Sequence, residues 1–112
     1  MTDFERGDLV MVSLDPQSGH EIMKRRPCLV ISNLWYNEKS SFLIVCPITS
    51  KDHGWAFSVR IDTQNVSGFV MVDQIKSIDP ESRSVTRCEG APKVGFAVMN
   101  QIQGLLDALL LG

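Results

Sequence analysis

The chain has 112 residues, enough for one domain that closes its own core without disulfide or metal staples. Its 44% hydrophobic and 21% charged residues are ordinary for a folded protein and exclude extended disorder. A net charge of −2 excludes a general nucleic-acid coat, while leaving room for one local basic groove.

No apolar run reaches the ~18 residues of a membrane span. The amino terminus, MTDFERGD, lacks the apolar segment of a signal peptide, so the expected location is the cytoplasm, with no membrane partner. Cys28, Cys46 and Cys88 are odd in number and without CxxC spacing; they read as buried, reduced thiols.

The first element, GDLVMVSL (7–14), is a glycine stop followed by a β-rich run that ends at the turn signal Asp15-Pro16. PCLVISN (27–33) and SFLIVCPIT (41–49) are nearly all apolar, the pattern of strands covered on both faces. Pro47 marks a bulge, an edge or the end of the second of these. WAFSVRI (55–61) alternates Trp55, Phe57, Val59 and Ile61 with smaller or polar residues, which predicts a strand with one wet face. GFVMVDQIKSI (68–78) predicts another strand and SVTRCE (84–89) a short last one. The period then changes. Pro92 is placed to start a helix, and Val98, Ile102, Leu105 and Leu109 recur at helical spacing, predicting one amphipathic helix over 93–111. Its closing LLDALLLG carries leucines on more than one side, which fits either a deeply sunk helix or a contact between two copies. The expected fold is a small, strongly bent sheet or barrel with a docked carboxy-terminal helix.

The polar residues crowd onto strand ends and loops. His20, Glu21, Lys24, Arg25 and Arg26 run from the first loop into the second strand. Thr49 and Ser50 end the third, with Lys51, Asp52 and His53 after them, and Asp73, Gln74 and Lys76 interrupt the fifth. Each has a plain structural reading. Arg26 before Pro27 would cap a sheet edge by pairing with Asp15 or Asp73; His20 would be a solvated loop histidine; Thr49 is a good strand residue. Asp73 would cap a turn, and Trp55 would be core.

Four phrases in order shift this balance: RGDLVMVSLDPQSGHE, with its G-D and D-P-x-x-G-x-E steps, RRPCLVIS, CPITS, and VDQIKSI with its D-Q-x-K-S step. Together they resemble the MazF, Kid and PemK toxins of type II toxin–antitoxin modules, over almost the whole chain from Arg6. The resemblance implies an SH3-like small barrel (the plasmid-maintenance toxin or CcdB-like fold) with a carboxy-terminal helix, and a homodimer. It also implies ribosome-independent cleavage of single-stranded mRNA at short motifs, with no metal and no cofactor. The implied protein partner is a cognate antitoxin whose acidic, disordered tail lies across the basic groove. The arginine of the family's R-P motif falls on Arg26, the threonine after its P-x step on Thr49, the Kid-type histidine on His20, and the D-Q acid on Asp73. Two positions depart from the pattern: Met71 stands where Kid-like members can carry arginine, and Ile22 follows Glu21 where glutamine is usual.

For such chemistry the RNA's own 2′-OH is the nucleophile, and the products are a 2′,3′-cyclic phosphate and a 5′-OH. A developing phosphorane calls for fixed positive charge, which the planar guanidinium of Arg26 provides. Thr49 adds a hydroxyl donor. A guanidinium keeps its proton at neutral pH and makes a poor base, so His20 is the better-suited base. Glu21 would orient Arg25 or Arg26. Lys24, Arg25, Lys51, His53 and Lys76 are candidates for phosphate contacts, Asn33 and Gln74 for base edges, and Trp35, Tyr36 or Trp55 for stacking. Two other classes remain at this point: a gyrase-poisoning toxin of the same fold, and an SH3-like binding module without activity. The first is expected to carry a terminal tryptophan that LLLG lacks, and the second a groove lined by several aromatics.

Overall fold

The computed structural model describes residues 3–13, 24–90 and 92–112. Among these, seven strands and two helices follow in the order β1 (Leu9–Ser13), β2 (Arg25–Val30), α1 (Leu34–Ser40), β3 (Leu43–Thr49), β4 (Ser58–Asp62), β5 (Ser67–Met71), β6 (Lys76–Ile78), β7 (Thr86–Arg87) and α2 (Phe96–Leu111). The strands form one antiparallel sheet in the order β4-β5-β3-β2-β1-β7, with β6 on β3. None of the helices is long and apolar enough to cross a membrane.

The central strands are buried on both faces because their apolar residues run without alternation. On one face Leu9, Leu29, Cys46, Ile48, Val59 and Val70 join the larger core cluster. On the other, Val10, Val12, Cys28, Val30, Leu43 and Val45 join a second cluster with Ile78. All three cysteines are free and buried, as their surroundings in the sequence predict. Strand β3 bends the sheet by changing partners: Leu43–Val45 pair with β6, whereas Ile48 and Thr49 pair with β5. Pro47 lies between the two sets, where its missing N–H interrupts no ladder on that side.

Helix α2 buries Met99, Ile102 and Leu106 against the larger cluster. The buried stripe is therefore turned by about one residue from the expected one: Val98 and Leu105 are half-buried and Leu109 is exposed. The helix also begins later than Pro92 suggests, with Gly95 as its N-cap. The intervening residues are held as extended chain. Pro92 O accepts from Leu9 N, Val94 N donates to Gly7 O, and Lys93 bridges Asp8. Backbone groups bonded to the sheet edge are unavailable to a helix.

Three further differences have local causes. The run 68–78 is two strands, because the chain turns at Val72–Asp73 and Gln74 N closes onto Met71 O. The strand expected from residue 55 begins at Ser58, whose N–H and hydroxyl both bond Trp55 O. The short helix α1, absent from the sequence-based expectation, is capped by Asn33 and tied to the core by the fully buried Asn37, which donates to Phe4 O.

Candidate active site

Arg26 is the second residue of β2, in its exposed first part, opposite Val12 of β1. The β2–β3 register pairs Cys28 with Pro47. Carried two residues further, it sets Arg26 opposite Thr49, so both belong to the face that carries Cys28, Val30 and Val45. A cleft of about 240 Å³ opens at this end of the two strands, lined by Arg25, Arg26, Pro27, Ile48, Thr49, Ser50 and Ser67. The two residues matched to the family's R-P and P-x-T motifs thus share one cleft.

The two arginines at its mouth differ. Arg25 is committed: its Nη2 donates to Met11 O, Ser84 O and Thr86 Oγ1, strapping β2 to β1 and β7. The Arg26 guanidinium makes no hydrogen bond or ion pair with any described residue, and the expected pairing with Asp73 is absent. Asp73 instead accepts from Trp55 Nε1 at 3.0 Å. Asp15 lies outside the described residues.

Thr49 is oriented by its own backbone turn. Lys51 N donates to its Oγ1 at 3.3 Å, so the hydroxyl's acceptor side is engaged and its proton is available to a ligand. Gly68 fixes the strand beneath it: φ is +152°, and a Cβ would stand 2.5 Å from Thr49 O. Only glycine permits that approach of backbones. Gly68 and the cleft residue Ser67 escape the motif reading, although a glycine inside a strand pattern is the signal of close backbone contact.

Positive charge is concentrated on this face. Burial pushes the Cys28 thiol up to about 11, and the nearby charges of Lys76 and Arg26 act in the opposite direction. Both cations therefore sit close enough to Cys28 to be felt at its sulfur. Lys76 pairs with Val45 in the sheet, on the face that also carries Arg26.

The remaining candidates spread outward. Lys24 is exposed at the start of β2, Lys51 and His53 are exposed on the loop after β3, and Gln74 is exposed in the β5–β6 turn. Asn33 serves as a helix cap, its Oδ1 taken by Tyr36 N. Trp35 is 69% exposed on α1, and Trp55, at 46%, is not the core residue its alternation suggests. It leans on Phe57 with ring centroids 5.7 Å apart. His20, Glu21 and Ile22 lie outside the described residues. Among the described residues no cluster of three potential metal ligands occurs.

Residues 5–110 match the family model described as PemK-like, MazF-like toxin of type II toxin-antitoxin system. The chain belongs to that family. It is 33% identical to the endoribonuclease PemK of Escherichia coli, over 97% of this chain and 84% of PemK. It is also 33% identical to the endoribonuclease toxin MazF of Escherichia coli K12, over 88% and 84% of the two chains. The crystal structure of MazF from Deinococcus radiodurans superposes with a TM-score of 0.81 at 34% identity, covering 97% of each chain. The MazE–MazF complex of the same organism gives 0.82 at 32% identity, over 96% and 95%. The mainly β fold with a carboxy-terminal helix is the fold of these family members.

Proposed function

We propose that the protein is a sequence-specific endoribonuclease toxin of a type II module, cleaving single-stranded mRNA without the ribosome and without a metal. The observation that carries this reading is the Arg26 guanidinium, without a partner among the described residues, in a cleft shared with Thr49, in a chain whose relatives are named endoribonucleases. In the reaction the 2′-oxygen attacks the adjacent phosphorus, the P–O5′ bond breaks, and the 2′-OH proton leaves as O5′ gains one. Arg26 stabilises the charge that grows on the non-bridging oxygens. Its guanidinium, carried on the paired strand β2, contributes about 3–4 kcal/mol of barrier lowering, typical of one transition-state donor. Thr49 donates its hydroxyl to the same phosphate. His20 acts as base, and Lys76 raises the local positive potential. The working form is a homodimer, and the cognate antitoxin neutralises the cleft with an acidic tail.

The test is cleavage of a long unstructured RNA in EDTA, with wild type and Arg26→Ala side by side and the new ends typed. Discrete cuts with 2′,3′-cyclic phosphate and 5′-OH termini, lost in the variant, are the expected result. Intact RNA from folded wild-type protein, across several sequences, would overturn it.

A further inference from the structure

The Arg26–Thr49 cleft does not end at Ser67. Pro27 and Ser67 also line a hollow of about 420 Å³, which therefore adjoins the cleft. The hollow is built differently from the cleft. Met11, Val66 and Cys88 give it apolar surface, and Asn65 and Glu89 stand on its rim. An apolar floor with a few polar groups at the edge suits a planar heterocycle: the faces of the ring meet the floor and its edge meets the rim.

We infer that this hollow is a nucleobase subsite, in which Asn65 and Glu89 read a base next to the scissile phosphate. The inference rests on the endoribonuclease reading above. Asn65 Nδ2 donates to Glu89 O at 2.9 Å, which fixes the amide's orientation and leaves Oδ1 as an acceptor. Gly90 makes room for it: at φ +84° a Cβ would stand 2.9 Å from that Nδ2. The Glu89 carboxylate adds acceptors only. A carboxylate beside a groove for RNA repels phosphate, so the favourable partner at this rim is a base edge that donates. The amino groups of adenine, cytosine and guanine offer two hydrogens to the two rim acceptors, whereas uracil offers the single N3–H. The subsite therefore selects an amino-bearing base against uracil.

The experiment maps the cleavage motif of the full chain on a randomised RNA pool, for wild type, Glu89→Gln and Asn65→Ala. Both substitutions are on exposed side chains, and circular dichroism confirms that each variant is folded. Wild type is expected to disfavour uracil at one position beside the cut. Glu89→Gln, which adds a donor, is expected to relax that preference by about five- to hundredfold, the range of one good base contact. Asn65→Ala relaxes the same position, and the rest of the motif is unchanged. An identical motif in all three proteins would overturn the subsite while leaving the nuclease intact. Uniform loss of cutting at every sequence in the folded variants would also overturn it, by making the rim a general support. Failure of wild type to cut any RNA would remove the endoribonuclease reading itself, and the subsite with it.

Discussion

Charge gathers at both ends of β1, and the two gatherings are built on different rules. Beside Leu9, the 3%-exposed Asp8 is surrounded: Lys93 Nζ lies 3.1 Å from Oδ1, Arg87 Nη2 lies 3.6 Å from Oδ2, and Glu5 N donates to Oδ2 at 2.9 Å. Arg87 further covers the ring of Phe4. Beside Ser13, Arg25 is likewise satisfied, but the Arg26 guanidinium has no partner among the described residues. A folded chain neutralises the charges that hold it together, because an unpaired buried charge costs several kcal/mol. A cation kept at the surface without a partner contributes nothing to stability and waits for a ligand. The partner list, more than the residue type, separates the structural arginines from the working one.

The sharpest way to break this contrast is to remove each charge in turn. Arg26→Ala should cut the cleavage rate by a hundred- to thousandfold, the effect of losing one fixed donor to the transition state. Its urea midpoint should stay at the wild-type value. Arg26→Lys keeps the charge and loses the planar fork, so it should recover only a small part of the rate. A midpoint lowered together with the rate would make Arg26 another structural arginine.

Asp8→Ala should do the reverse. The carboxylate accepts a backbone N–H and meets two cations in a buried position, and such charged hydrogen bonds contribute about 1.5–3 kcal/mol. Lys93 and Arg87 are both more than a third exposed and can turn to water, which keeps the loss from growing further. Urea unfolding reads the loss, and single-turnover cleavage of the folded fraction should be unchanged. A rate defect in fully folded Asp8→Ala would mean that the two ends of β1 are not separate.

Much of the fold was legible because the central strands announce themselves: the unbroken apolar runs at 27–33 and 41–49 have one physical explanation, burial on both faces. Legibility fails where tertiary contacts replace local signals. Val72 is fully buried although it sits in a turn, so the apolar pattern runs through the break between β5 and β6 unmarked. Helix α1 has seven residues, too few for a periodic signal, and is held by the side-chain bonds of Asn33 and Asn37. Trp55 keeps the alternation of β4 but precedes it, so its ring finds Asp73 instead of the core. At the site, motif order alone brought out Arg26 and Thr49. It set Arg26 apart from Arg25 only by the R-P match; the physical difference lies in Met11, Ser84 and Thr86, brought in from distant parts of the chain. Ser67 and Gly68 reach the cleft through strand pairing for the same reason.

Thr49 offers a finer test of the same contrast. Thr49→Val keeps the shape and the β preference but removes the donor, and a neutral hydrogen bond of about 0.5–1.5 kcal/mol corresponds to a rate loss of about tenfold or less. Thr49→Ser should restore most of it, because a serine hydroxyl can both accept from Lys51 N and donate to phosphate. Equal rates for valine and threonine would leave Arg26 as the sole phosphate contact of the pair.

A test by pH lies in the core, in the thiols of Cys28 and Cys46. Burial pushes the first up to about 11 and the second up to about 12, from an ordinary value of 9.0. In the unfolded chain both ionise near pH 9, while the folded protein still holds their protons. The unfolded state thus binds fewer protons above pH 9, and stability falls as pH rises from there toward each folded value. Below pH 9 the thiols contribute no slope. Each can contribute at most about 1.4 kcal/mol per pH unit in its window. Urea midpoints between pH 7 and 10.5 should therefore decline more steeply above pH 9 in wild type than in a Cys28→Ala, Cys46→Ala variant. Parallel curves would mean that burial does not hold the protons of these two thiols, for Cys46 as well as for Cys28, although only Cys28 has Lys76 and Arg26 acting against it.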